Sequence, residues 1–346
     1  MSKQTEILAP LPLHAANGRL SEEGWARQPF WRYQRSAVPA SAWRIKEWDY
    51  YAVMSPDQQF AIGLTASNLG YAGLYAICFV DLATGQSYQS DALQVLPLAR
   101  HAFPEQAADG EVRFASKQLS LHFITEAGQR RLRFASSAIQ GPNGRGIEGE
   151  ILLSQPAGLE SMNIATSWAE NRKAFYYNSK INCLPASGGF DFAGQHYALK
   201  PERDLGVLDW GRGVWTYNNT WYWGSASGYL DGVPFGFNLG YGFSDRSPAT
   251  ENLLLYDGRA HKLDQIEFHF DSSDWLKPWR VSSNDQRLQL NFRPAVDRNS
   301  HFNLLAITSE QHQVFGYFSG TAVLDDGRVL QLQDFPGFAE EVRNRW

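Results

Sequence analysis

Apolar and polar residues alternate in short runs along most of the chain. In LSLHFIT (119–125) and RLRFASS (131–137) large apolar side chains recur at every second position, and QIEFHF (265–270) and RLQLNF (287–292) repeat the pattern. A period of two belongs to a strand with one buried face. Other strand-length apolar runs, such as YAICFV (75–80) and LLLY (253–256), lie between them. The pairs Asn143-Gly144, Asp257-Gly258 and Asp326-Gly327 punctuate the runs at hairpin spacing. Helical periodicity is weak throughout. The expected class is all-β, built as sandwiches or barrels.

The pattern also repeats. In the first half EWDYYAVMS (47–55) is followed by a turn, then by a Gly-spaced run carrying Asn-Leu-Gly-Tyr (68–71), then by an apolar run ending in Asp81 before a Gly turn. In the second half TWYWGSASG (220–228), Asn-Leu-Gly-Tyr (238–241) and an apolar run ending in Asp257 follow in the same order. Landmarks in one order, offset by about half the chain, indicate internal duplication. The expected organisation is two tandem β units, residues 1–190 and 191–346, with LPASGGFDFAG (184–194) as the crossing loop. A junction between repeated units is a common place for a pocket.

Composition sharpens this only in places. Aromatic residues make up 14% of the 346 positions, with 12 Trp, which suits pleated surfaces. A formal net charge of −5, with scattered basic residues, leaves no footprint for nucleic acid. Two cysteines, Cys78 and Cys183, supply neither a disulfide framework nor a four-thiolate zinc site. The histidines show no HxH or HxxxH spacing, and neither a phosphate loop nor a GxSxG elbow occurs, so no metal or cofactor is expected. There is no signal-peptide pattern and no uncharged apolar run approaching the roughly 20 residues that span a bilayer. The expectation is a cytoplasmic protein without integral membrane association, of open oligomeric state.

Candidate chemistry concentrates in LDWGRGVWTYNNTWYWGSASG (208–228). Asp209 and Arg212 stand beside Trp210, Trp215, Tyr217, Trp221 and Trp223. Buried, the two charges need each other or further polar partners. A carboxylate between apolar walls suits general acid chemistry, and an arginine suits a polar head group on a ligand. Glu251 and Asn252 open the LLLY strand, and Glu251 with Asp209 would make a carboxylate pair. Glu47 and Trp48 occupy the first-half counterpart of the aromatic segment, and Tyr241 lies in the repeated Asn-Leu-Gly-Tyr. Catalytic candidates are therefore Asp209, Glu251 and Arg212. Ligand-binding candidates are Trp210, Trp215, Tyr217, Trp221, Trp223, Tyr241, Asn252, Glu47 and Trp48.

Several stretches resemble the bacterial family named domain of unknown function 2804: KEWDYYAV, GLTASNLGYAG, KINCLPASGGF, GVLDWGRGVW, GFNLGYGFSD and the terminal GFAEEVRNRW. The Asp-Trp-Gly centre and paired halves are also similar, more distantly, to the double lipocalin-like group that includes carotenoid 1,2-hydratase. That resemblance implies two lipocalin-like units clasping a hydrophobic ligand, with water addition to an alkene or cyclisation as the group's chemistry. The expected function is binding of a hydrophobic small molecule, with cofactor-independent hydratase, isomerase or cyclase activity and Asp209 as proton donor. Two alternatives stay open: a carbohydrate-active enzyme using a carboxylate pair and stacking platform, and a carrier without catalysis.

Overall fold

The computed structural model describes residues 4–96, 103–304 and 307–345. Among them are no α-helices; two short 3₁₀ turns, Arg35–Ala37 and Ala42–Arg44, precede the first long strand. The chain folds into two large, curled sheets of tandem lipocalin-like form, together with a two-stranded ribbon.

The duplication is visible in the strand order. In the first sheet a four-strand antiparallel meander runs Ile45–Ser55, Phe60–Asn68, Ala72–Asp81, Gln86–Val95. In the second the meander is Asn218–Leu230, Val233–Tyr241, Leu253–Tyr256, Arg259–Lys262. Each meander's first strand pairs with the last strand of its own sheet: Ile45–Ser55 with Leu205–Val214, and Asn218–Leu230 with Val329–Arg345.

Sheet membership changes between Val214 and Asn218. Residues 191–214, expected to begin the second unit, therefore complete the first sheet. The expected crossing loop is also corrected. Leu184–Phe192 continues the strand Asn171–Phe192 and is paired on both edges, with Gly144–Ser154 and Gln195–Leu199. Its small residues suggested a turn, but they let two neighbouring backbones approach instead.

Alternation sorts the side chains into three layers. One core lies within the first unit and contains Tyr51, Phe123, Tyr177, Leu208 and Trp210. Another fills the second unit, with Phe237, Leu254, Trp279, Phe292 and Ala339. The third lies where the sheets face each other, joining Tyr50, Ala52, Met54 and Val207 to Trp223, Phe315 and Phe338. This third layer is the seam, and it holds the polar cluster described next.

Candidate functional site

Residue parity places the cluster. On Leu205–Val214, Asp209 faces the seam with Val207, whereas Trp210 and Arg212 face the first unit's interior. On Asn171–Phe192 the seam receives Tyr176, Asn178, Lys180 and Asn182. Trp48 and Tyr50 come from Ile45–Ser55, Trp221 and Trp223 from Asn218–Leu230, and Glu340 from Val329–Arg345.

Asp209 is buried and accepts from three sides. Asn178 Nδ2 lies 2.6 Å and Trp48 Nε1 3.1 Å from Oδ1, and Lys180 Nζ sits 2.8 Å from Oδ2. The same ammonium lies 3.9 Å from the centre of the Trp223 ring, a cation–π contact. Trp223 donates to Asn238 Oδ1 at 2.7 Å, and Asn238 Nδ2 donates to the Glu251 carbonyl at 2.7 Å. The Glu251 carboxylate accepts the Tyr176 hydroxyl at 3.0 Å. Glu340 accepts Trp221 Nε1 at 2.9 Å and Gln311 Nε2 at 3.4 Å.

Two glycines make the approach possible. A Cβ at Gly211 would overlap the Trp48 ring, and one at Gly240 would overlap Glu251 Oε1. Each lies on a strand that would otherwise push the functional side chain out of the seam.

Three carboxylates thus lie around Lys180 in a buried layer. Burial pushes the Glu251 carboxyl up to about 7; the Asp209 charge adds to the rise, while Lys180 and the Tyr176 hydroxyl oppose it. Burial likewise raises Glu340, against the Trp221 hydrogen bond and the Lys180 charge. The Tyr176 phenol is held well above its ordinary value by burial and by the Glu251 charge. The aromatic wall consists of Trp48, Tyr176, Trp215, Trp221 and Phe243, with ring centres 4.7–6.2 Å apart in the contacts among them.

Of the expected residues, Asp209, Glu251, Trp48, Trp215, Trp221 and Trp223 meet here. The others do not. Arg212 never touches Asp209, because an odd separation on a strand sends them to opposite faces. Its guanidinium binds Asp49 at 3.0 Å and the carbonyls of Trp48, Gly211 and Pro104, and it lies 3.9 Å from the Trp210 ring. Glu47 is inside the first unit, bonded to Tyr33 and Arg35. Tyr241 is inside the second, stacked on Tyr222 and accepting from Phe268 N–H. Asn252 is structural: it accepts from Gly240 N–H and donates to the Asp264 carbonyl, fixing the strand start beside Glu251. Tyr217 is largely exposed.

Lys180, Tyr176, Asn178 and Glu340 were not anticipated. Their signal was available as alternation: Tyr176, Asn178, Lys180 and Asn182 interleave with Phe175, Tyr177 and Ile181. Glu340 stood in the terminal FAEEV, which reads as simple closure of the second unit. Among the described residues no group of three or more His, Cys, Asp or Glu side chains is arranged to hold a metal. No helix is long and apolar enough to cross a membrane.

A model of the family described as "Domain of unknown function (DUF2804)" matches residues 4–346. The chain belongs to that family. No curated protein matches it significantly in sequence. Among solved structures, kievitone hydratase from Nectria haematococca aligns with a TM-score of 0.53 at 10% identity, covering 87% of this chain and 88% of that one. CghA, solved with Sch210972, aligns with a TM-score of 0.50 at 11% identity, over 87% and 88%. At such identities the likeness is one of fold. This DUF2804 member therefore shares the double lipocalin-like architecture of a hydratase and has an aromatic-rich interior.

Proposed function

We propose that this DUF2804 protein is a cofactor-independent enzyme acting on a hydrophobic small molecule at the seam, as a hydratase, isomerase or cyclase, with Glu251 as proton donor. The observation that carries the reading is a buried carboxyl titrating near neutrality beside a second carboxylate fixed by three donors. A proton donor works best when its pKa lies near the working pH. Glu251 meets that condition, and Asp209 beside it is held in place by Lys180, Asn178 and Trp48. Asp209 is then the positioned carboxylate that steadies a cationic intermediate. The indole and phenol faces add to that stabilisation. Kievitone hydratase, by its name, adds water, and its shared fold supports the same class here.

The sugar alternative has less support. Trp48, Trp215, Tyr176 and Trp221 pack on one another, mostly edge to face, rather than presenting an open platform.

The test is incubation of a small-molecule extract with the protein in ¹⁸O-labelled water, followed by untargeted mass spectrometry. A product heavier than its precursor by one labelled water identifies a hydratase, and one of unchanged mass an isomerase or cyclase. Either product must be absent with Glu251→Gln. A ligand that is retained but never altered would replace this reading with a carrier.

A further inference from the structure

The interior of the first unit carries a second constellation of buried charge, on the opposite face of the seam strands. Its carboxylates are Glu47 and Asp49, and its guanidiniums belong to Arg35, Arg130 and Arg212. Both carboxylates are already engaged. Glu47 takes Arg35 and the Tyr33 hydroxyl, with Arg212 Nε at 4.0 Å, and Asp49 takes Arg212 Nη1 at 3.0 Å. Arg130 is 1% exposed, and its only hydrogen bond among the described residues runs from Nη2 to the Ala107 carbonyl at 3.1 Å. Asp49 attracts it at longer range.

Around these charges the buried side-chain atoms without a partner are all donors: Arg35 Nη2, Arg130 Nε and Nη1, and the Trp210 indole N–H. A guanidinium does not shed its proton in a protein; Arg35, reaching in from the part-exposed edge, takes Glu47 and Arg212 takes Asp49, which leaves the buried Arg130 with no carboxylate in ion-pair contact among the described residues. Water would meet the hydrogen bonds but leave the charge; burying an uncompensated charge is far costlier than burying a neutral donor. We propose that the first unit binds a small monovalent anion, of the size of chloride or formate, at Nε and Nη1 of Arg130. Leu132, Phe123 and Tyr51 belong to the apolar core beside it. The Phe103–Ala107 segment covers the site, sending the Pro104 carbonyl to Arg212 and the Ala107 carbonyl to Arg130. The anion neutralises a structural cluster, and the inference is independent of the chemistry proposed for the seam.

Thermal unfolding of the full chain tests it, with sodium chloride exchanged for sodium gluconate at constant ionic strength. The unaltered protein gains melting temperature with chloride in a saturable manner, and Arg130→Met shows no such gain. An equal response to both salts, or a chloride response that survives in Arg130→Met, overturns the proposal. Should Arg130→Met not fold, bromide-soaked crystals of the unaltered protein decide. An anomalous peak in hydrogen-bond range of the Arg130 guanidinium supports the site, and its absence there refutes it.

Discussion

The two faces of the Leu205–Val214 strand carry two separate clusters of buried charge. On the seam face Asp209, Glu251 and Glu340 lie around Lys180, with Lys262 acting on Glu251 and Arg298 on Glu340 from further off. On the interior face Arg130 and Arg212 are buried with Glu47 and Asp49, and Arg35 reaches in from the part-exposed edge to Glu47. The groups also differ in how they are satisfied. Arg212 is bound by a carboxylate and three backbone carbonyls, which lock one geometry. Glu251 keeps a single side-chain donor and a titration point near neutrality. Saturated charge serves architecture, whereas charge left close to its switching point serves chemistry.

That contrast can be broken most forcefully at Arg212. Arg212→Ala strands Asp49 and three carbonyls, and the expected loss is about 3–5 kcal/mol in urea unfolding. A variant of normal stability but without turnover would mean the interior face takes part in catalysis. On the seam, Glu251→Gln should lower turnover roughly 10²–10⁴-fold with the fold intact by circular dichroism.

Titration sharpens the comparison. As a proton donor Glu251 must be protonated, so turnover should fall as pH rises through about 7. Stability follows the same direction. The folded-state value is raised, so the folded protein binds more protons than the unfolded chain between the ordinary carboxyl value of 4.5 and about 7. Stability is therefore complete below that window and declines through it, by about 3 kcal/mol; Glu251→Gln should flatten this part of the curve. The neighbours should move the limb in opposite senses. Lys180→Met removes a charge that holds Glu251 down and should shift the limb to higher pH, while Asp209→Asn should shift it lower. Identical profiles in both variants would disconnect the three groups. The smallest effect is expected at Trp221→Phe, which removes one hydrogen bond to Glu340 at a cost of about 1 kcal/mol.

The all-β class and the duplication were legible because strand periodicity and turn residues are local properties. The tryptophans of 215–223 and the Asp209–Glu251 pairing were legible for a similar reason, since a carboxylate set among aromatic residues is conspicuous on one line of text. The Asp209–Arg212 pairing failed because proximity in sequence was read as proximity in space. Three positions along a strand are a change of face. Lys180 was hidden because its place directly opposite Asp209 on the neighbouring strand depends on register, which a single run does not reveal, and Glu340 because no run of residues advertises that two strands from different units will meet. The junction near residue 190 was misplaced because glycines that admit neighbouring backbones look the same, in sequence, as glycines that turn.

In both units the opening strand of the meander is completed by the strand that comes last: Tyr50 pairs with Asp209, and Trp223 with Glu340. During synthesis the first sheet therefore lacks its seam strand until residue 214 has emerged. The three-carboxylate arrangement cannot exist until Glu340 follows. Loop closure over such spans slows folding, and a nascent chain carries an uncovered edge and an aromatic face in the meantime. A nonsense mutation between Val323 and Val329 would leave most of the second unit's apolar surface synthesised and its closing strand missing. Such a product would be a substrate for quality control rather than a weakened enzyme.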